Sequence, residues 1–306
     1  MVRDPFAPLL ADGGVAVIDG AMGTELERRG ADVRDPLWSA RILLESPDLV
    51  REVHAAYVAA GADIAISASY QATFEGLARR GLDRDAAAEV LRSSVRIARE
   101  AAGDAIVAAS IGPYGAYLGN GAEYTGDYDL DEDALVAFHV PRLETLAEAG
   151  PDVFAIETIP SVVEARALVR ALERVPEVPA WISFSCRDGA HLCDGTPFRA
   201  ATEIATGSPS VVAVGINCTA PLHVVSLIEL ARAASDRPVV CYPNRGSFWD
   251  PMRKTWSDPP RQDVRSPLRP VEWRAAGARL IGGCCGTTPD DIAVMASSLR
   301  EGGTRV

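Results

Sequence analysis

No run of apolar residues in this chain approaches the ~18 that a membrane-spanning helix requires, so no helical membrane anchor is expected. Basic clusters are missing as well. With 30 Lys and Arg against 42 Asp and Glu the net charge is −12, and no positive stretch offers a nucleic-acid surface. There is no G-x-G-x-x-G fingerprint and no Walker A loop, which removes two common phosphate cradles. Residues Met1 to Gly14 carry Asp4, Pro5 and Pro8 where a secretory signal needs an unbroken apolar stretch. Cysteine is too scarce for a disulfide-stapled scaffold, six in 306 residues. These absences leave an expected cytoplasmic protein with small-molecule substrates and neither nucleic-acid nor membrane partners. Its 48% apolar content is ample for a large core.

What is present is a regular alternation. Short apolar runs rich in β-branched residues fall at Val15–Asp19, Asp63–Ser69, Ala105–Ile111, Val153–Thr158, Ala180–Cys186, Val211–Asn217, Pro238–Tyr242 and Ala278–Gly282. Helical patterns follow them, near 47–60, 84–102, 131–149, 161–175, 197–206, 221–234, 270–276 and 289–300. Ser161 with Glu164 has the spacing of a capping box. Eight such repeats without a compositional break predict one domain over residues 1–306, a closed α/β (β/α)₈ TIM barrel rather than an open doubly wound sheet. Two connections are long: Gly112 to Asp131, with four tyrosines, and Pro243 to Leu268, with Phe248, Trp249 and Trp256. Loops of that length after strands three and seven are candidate lids or binding loops.

In such barrels chemistry sits at the C-terminal ends of the strands. Polar residues fall there repeatedly: Asp19, Ser69, Glu157, Asn217 with Cys218, Asn244, and Cys284-Cys285 after the eighth strand. Thiols where buried strands open into loops are poor packing choices and good soft metal ligands. Cys218, Cys284 and Cys285 are therefore expected to hold one Zn²⁺ with a coordination position open. A bridge between the neighbours Cys284 and Cys285 would be strained, and Cys186, Cys193 and Cys241 read as ordinary small buried residues. Three thiolates on zinc make a weak Lewis acid, suited to ionising and holding an incoming thiol. Asp19 and Glu157 beside such a centre suggest an ammonium group. The N–H groups of Gly20 and Ala21, with the Ser69 hydroxyl, could receive a carboxylate. Together these describe a thiol amino acid. The rival is a phosphate-binding barrel isomerase or decarboxylase using Gly282-Gly283, which leaves the cysteines unexplained and has only Arg245 as a nearby cation. A non-catalytic zinc or thiol-binding protein is the third possibility.

The motifs Asp19-Gly20-Ala21-Met22-Gly23-Thr24, Leu37-Trp38-Ser39-Ala40, Ser69-Tyr70-Gln71-Ala72-Thr73, Ile111-Gly112-Pro113-Tyr114, Glu157-Thr158, Gly215-Ile216-Asn217-Cys218, Tyr242-Pro243-Asn244 and Gly282-Gly283-Cys284-Cys285-Gly286-Thr287-Thr288-Pro289 occur in order. In these the chain resembles the homocysteine S-methyltransferase family, nearest the branch using S-methylmethionine or S-adenosylmethionine, from about Ile18 to Ile292. The resemblance implies a homocysteine-binding barrel with zinc on Cys218, Cys284 and Cys285, the substrate ammonium on Asp19 and Glu157, and Trp38 near the substrate. It implies methyl transfer from a sulfonium donor to homocysteine, giving methionine. A related thiol or selenol methyltransferase, or one using a betaine-type donor, is the neighbouring reading. The family's usual Tyr-Pro-Asn-Ser-Gly-Glu after strand seven is altered here by Arg245 and Ser247. The appended modules of cobalamin-dependent relatives are not seen, so folate chemistry through cobalamin is not expected. The cationic donor would be held by Trp38 or by tyrosines of the Gly112–Asp131 loop through cation–π contact.

Overall fold

The computed structural model describes residues 3–33, 39–246, 248–250, 255–257 and 268–301. Its centre is a ring of eight parallel strands: β1 (Ala16–Val17), β2 (Ile64–Ile66), β3 (Ile106–Ile111), β4 (Val153–Ile159), β5 (Ala180–Phe184), β6 (Val211–Asn217), β7 (Val239–Tyr242) and β8 (Ala278–Ile281). They pair in the order β1-β8-β7-β6-β5-β4-β3-β2. A parallel bridge between Ile18 and Ile64 brings the two ends together, with Asp19 N–H donating to the Ile64 carbonyl at 3.0 Å. The expected barrel is thus formed.

Helices follow the strands: α1 (Pro47–Ala59), α2 (Arg84–Ala102), α3 (Glu132–Ala147), α4 (Val162–Leu172), α5 (Phe198–Thr206), α6 (Val224–Ala234), α7 (Pro270–Ala276) and α8 (Pro289–Glu301). Local chemistry sets their limits. Asp83 caps α2 by accepting from Ala86 N–H at 2.9 Å, and Gly103 ends it with φ 55°. Between those points Ala87, Val90, Leu91, Val95 and Ala98 recur at helical spacing and are buried. Ser161 caps α4 by accepting from Glu164 N–H, as expected. The other arm of the predicted box goes elsewhere: the fully buried Glu164 carboxylate accepts from Tyr114 N–H (2.6 Å), meets His139 Nε2 (2.9 Å) and accepts from the Tyr128 hydroxyl. It ties the loop after β3 to α3 and α4. Short helices at Met22–Arg28, Ser39–Glu45, Phe74–Ala78 and Tyr114–Leu118 were not legible in the periodicity.

Strand residues alternate between two cores. Val17, Ala65, Val107, Phe154, Ile182, Val214 and Ile281 face the helices. Ile18, Ile64, Ala108, Ala155, Trp181, Ala213, Val240, Tyr242 and Leu280 fill the barrel, joined by Phe6 from the N-terminal segment. The alanines make room for Trp181, whose ring lies 6.0 Å from that of Phe6 and whose Nε1 donates to the Tyr242 hydroxyl at 3.0 Å. Burying an aromatic ring of ~200 Å² contributes roughly 5 kcal/mol. The packed interior confines polar chemistry to the mouth. No described helix is long and apolar enough to cross a membrane. The second long connection contains an antiparallel hairpin of Phe248–Asp250 with Thr255–Ser257.

Candidate active site

The residues at the C-terminal ends of the strands meet at one mouth. Cys218 follows β6, and Cys284 and Cys285 follow β8. Their sulfurs all lie within 4.8 Å of one another, and no other such group of potential metal ligands occurs among the described residues. Cys285 Sγ is 3.8 Å from Cys218 Sγ and 4.0 Å from Cys284 Sγ. Cys218 and Cys284 stand joined as a disulfide, with Cα atoms 5.6 Å apart. Reduced, the set is three soft donors converging from two strand ends, which fits a thiophilic metal ion. The bridge and a metal are alternative occupants of the same two sulfurs. Burial pushes the Cys285 thiol up to about 12, partly offset by a hydrogen bond from the Tyr124 hydroxyl.

Backbone geometry presents these thiols. Cys218 has φ 46° and Thr158, at the end of β4, has φ 62°. Left-handed backbone costs a non-glycine residue roughly 1–2 kcal/mol, and one side chain holds Thr158 there. Asn217, fully buried, accepts from Thr158 N–H (2.7 Å) and Ser183 Oγ (2.9 Å), and its Nδ2 donates to Thr158 Oγ1 (2.7 Å). The Thr158 hydroxyl in turn bonds the Tyr70 phenol oxygen. Asn217 therefore braces the turn carrying Glu157 while preceding Cys218 in the chain. The cysteine turn is pinned by Cys284 N–H to the Pro243 carbonyl and Arg245 N–H to the Cys285 carbonyl, both 2.9 Å. A Cβ on Gly282 would come within 2.7 Å of Ile18 Cβ, so only glycine lets β8 end against β1. The Arg245 guanidinium pairs with Asp291 at the start of α8.

Two acids lie beside the thiols. Asp19 is buried and its Oδ2 accepts from Ile66 N–H at 2.9 Å. Burial, with the nearby Glu157 adding repulsion, holds its carboxyl well above the usual range. Glu157 accepts from Ser110 Oγ at 2.5 Å and from the Tyr242 hydroxyl, yet burial pushes it up to about 7. Two buried carboxyls held in this state would ionise on meeting a cation.

The other predicted residues differ in what they do. Ser69, fully buried, donates to the Ser110 carbonyl (2.8 Å) and meets Ser67 Oγ (2.8 Å); Ala21 N–H donates to Thr287 Oγ1 (3.2 Å). Both donors are engaged within the protein. Gly20 lies against Tyr57 and Thr287. Trp38 and the side chains of Trp249 and Trp256 lie outside the described residues. The Tyr114 ring packs against those of Tyr117 and Tyr128, and Tyr114 and Tyr117 both meet Phe138 of α3, with centroid separations of 5.0–5.7 Å. Of the loop's four tyrosines, Tyr124 is the one bonded to Cys285. Glu123, not singled out in the sequence, sits next to it, with burial pushing its carboxyl up to about 7. An acid in an irregular loop carries no periodic signal. The amides proposed for a phosphate are occupied, Gly282 N–H by the Cys241 carbonyl and Gly283 N–H by the Asp19 carbonyl, and Asp290 and Asp291 open α8. That disfavours the phosphate reading.

The comparisons with known proteins agree with this geometry. The sequence model of the family described as homocysteine S-methyltransferase matches residues 16–299. The chain is 46% identical over 311 residues to the homocysteine S-methyltransferase YbgG of Bacillus subtilis, covering 97% of this chain and 98% of that protein. Among solved structures, the homocysteine methyltransferase MmuM from Escherichia coli superposes in its metallated form with a TM-score of 0.85 at 44% identity, covering 96% of this chain and all of that one. Its oxidized form gives 0.86 at 44% identity, covering 97% of this chain and all of that one. Matching over nearly its full length, in sequence and in fold, the chain belongs to the homocysteine S-methyltransferase family.

Proposed function

We propose that this enzyme transfers a methyl group from a sulfonium compound, S-methylmethionine or S-adenosylmethionine, to the thiol of homocysteine, forming methionine, with zinc as its metal. The observation that carries the reading is the convergence of Cys218, Cys284 and Cys285 beside the paired acids Asp19 and Glu157. Sulfur donors and chemistry that needs no redox change favour zinc among thiophilic metals. Held by the three cysteines, the ion would supply the acidity that strips the substrate thiol of its proton at neutral pH.

The chain's own residues do the rest. Asp19 and Glu157 take the substrate ammonium between them, oriented by Ile66 N–H and by Ser110 and Tyr242. The substrate carboxylate is assigned to the backbone at Gly20, because the Ala21 N–H and the Ser69 hydroxyl already donate to Thr287 and Ser110. Asn217 keeps the acid and thiol ends of the site in register. A thiolate sulfur and a sulfonium carry opposite charges that vanish as the new S–C bond forms and the old one breaks. A water-poor mouth therefore favours the transfer. No general base is required of the protein once the thiol is ionised. Three thiols that must stay reduced suit the cytoplasm.

Metal analysis of purified enzyme, followed by assays of methionine formation with each donor, tests the proposal. Zinc near one ion per chain and turnover with a sulfonium donor are expected. A metal-free preparation that is fully active, or turnover only with a betaine-type donor, would overturn it.

A further inference from the structure

The loop after β3 carries an acid whose position the reaction described so far does not explain. Glu123 lies on the turn Ala122–Tyr124 and is 8% exposed. Its Oε2 is shut off from solvent and has no hydrogen-bond partner, and the carboxylate's hydrogen bond comes from its own backbone N–H. A buried carboxylate with one oxygen unpartnered is costly, and this one is held firmly in place. Ser185 Oγ, just past β5, donates to the Glu123 carbonyl at 3.0 Å. The chain at Gly115 packs so tightly that a Cβ there would come within 2.4 Å of Glu123 N. The carboxylate lies within electrostatic reach of Cys285, Tyr70 and Tyr124. Both tyrosines keep part of their surface open, and Tyr124 is bonded to Cys285. Glu123 is thus an acid set apart from Asp19 and Glu157 and backing two rings at the thiol centre.

The three acids differ in a telling way. Asp19 and Glu157 sit in a lattice of cross-strand hydrogen bonds, from Ile66 N–H to the one and from Ser110 and Tyr242 to the other, whereas Glu123 accepts only from its own N–H. An acid that meets a sulfonium needs no such lattice, because a sulfonium has no N–H to donate. It binds through charge and through the faces of aromatic rings. We infer that Glu123, with the rings of Tyr70 and Tyr124, is the seat of the cationic methyl donor. The inference rests on the sulfonium reading above. As the homocysteine sulfur bonds to the methyl carbon, the electron pair of the old C–S bond stays on the departing sulfur. The donor leaves as a neutral sulfide, and Glu123 loses the charge that held it. The same acid that retains the donor therefore releases the product.

The test is Glu123→Gln, which keeps the shape and the backbone contacts and removes the charge. We expect the KM for the sulfonium donor to rise at least tenfold, while the homocysteine KM and metal content stay within twofold. The neutral sulfide product should inhibit wild type and variant equally, so discrimination between donor and product collapses. If the wild type fails to turn over any sulfonium donor, the underlying reading fails first. If the wild type works and the variant keeps its donor KM, or loses donor and homocysteine affinity alike, the inference falls. A variant that loses only thermal stability makes Glu123 a packing residue and also overturns it.

Discussion

Replacing Glu157 by glutamine should make the protein more stable and less able to bind its substrate. In the fold this carboxyl is pushed up to about 7 by burial, against an ordinary value of 4.5. Between those values the unfolded chain has already released its proton while the fold retains it. Stability conferred by the neutral acid is full below pH 4.5 and drains away as pH rises towards 7, by 1.36 kcal/mol per pH unit. Above pH 7 the loss is about 3 kcal/mol. Glutamine cannot ionise, so the gap between variant and wild type should open from near zero at pH 4 to about 3 kcal/mol at pH 8.

The surroundings can accept the change. Ser110 Oγ still finds an amide oxygen. Tyr242, receiving the new N–H and that of Trp181, can turn its own proton to Ser183 Oγ at 2.7 Å, and Ser183 donates to Asn217. Losing a charge-assisted bond to an ammonium costs about 2 kcal/mol, roughly thirtyfold in homocysteine affinity. Urea denaturation from pH 4 to 8 and calorimetric titration with homocysteine measure the two effects. Parallel pH profiles for variant and wild type, or unchanged homocysteine affinity, would refute the argument.

Asn217→Ala should cost about 3 kcal/mol, because it strips Thr158 N–H of its acceptor and Thr158 Oγ1 of its donor while Thr158 remains in left-handed backbone. Homocysteine binding and metal retention should both weaken; a chemical denaturation curve matching wild type would contradict this. His54 is buried in α1 with both ring nitrogens unpartnered, and burial lowers it to about 4. Below pH 6.5 the unfolded chain takes up a proton that the fold refuses, so stability falls by about 3 kcal/mol as pH drops towards 4. His54→Leu should flatten that slope, and urea midpoints at pH 5 and 7 decide it. Stripping the metal with a chelator should abolish activity while a barrel with two packed cores stays folded by circular dichroism. Unfolding on chelation would make the site structural. Mild oxidation should then join Cys218 to Cys284 and block metal return until a reductant is added.

The barrel and the cast of its mouth can be read along the chain. Strand and helix periods are local properties, set by which face of one element is apolar, and β6 from Val211 to Asn217 appears where its apolar run predicts it. Asp19, Glu157 and the cysteines stood out because a polar or thiol residue ending an apolar run has no packing reason to be there. Which ends meet, and what each side chain does on arrival, follows from the closure of the ring. Glu164 has capping-box spacing, yet it turns to Tyr114, His139 and Tyr128, partners the ring brings within reach. Ser69 became a brace, Asn217 a clamp between β4 and β6, and Tyr124 parted from its three neighbours to join Cys285. Hydrogen-bond partners and burial are relations between distant segments. They exist only once the closed sheet has set the distances, and no periodicity along the chain encodes them.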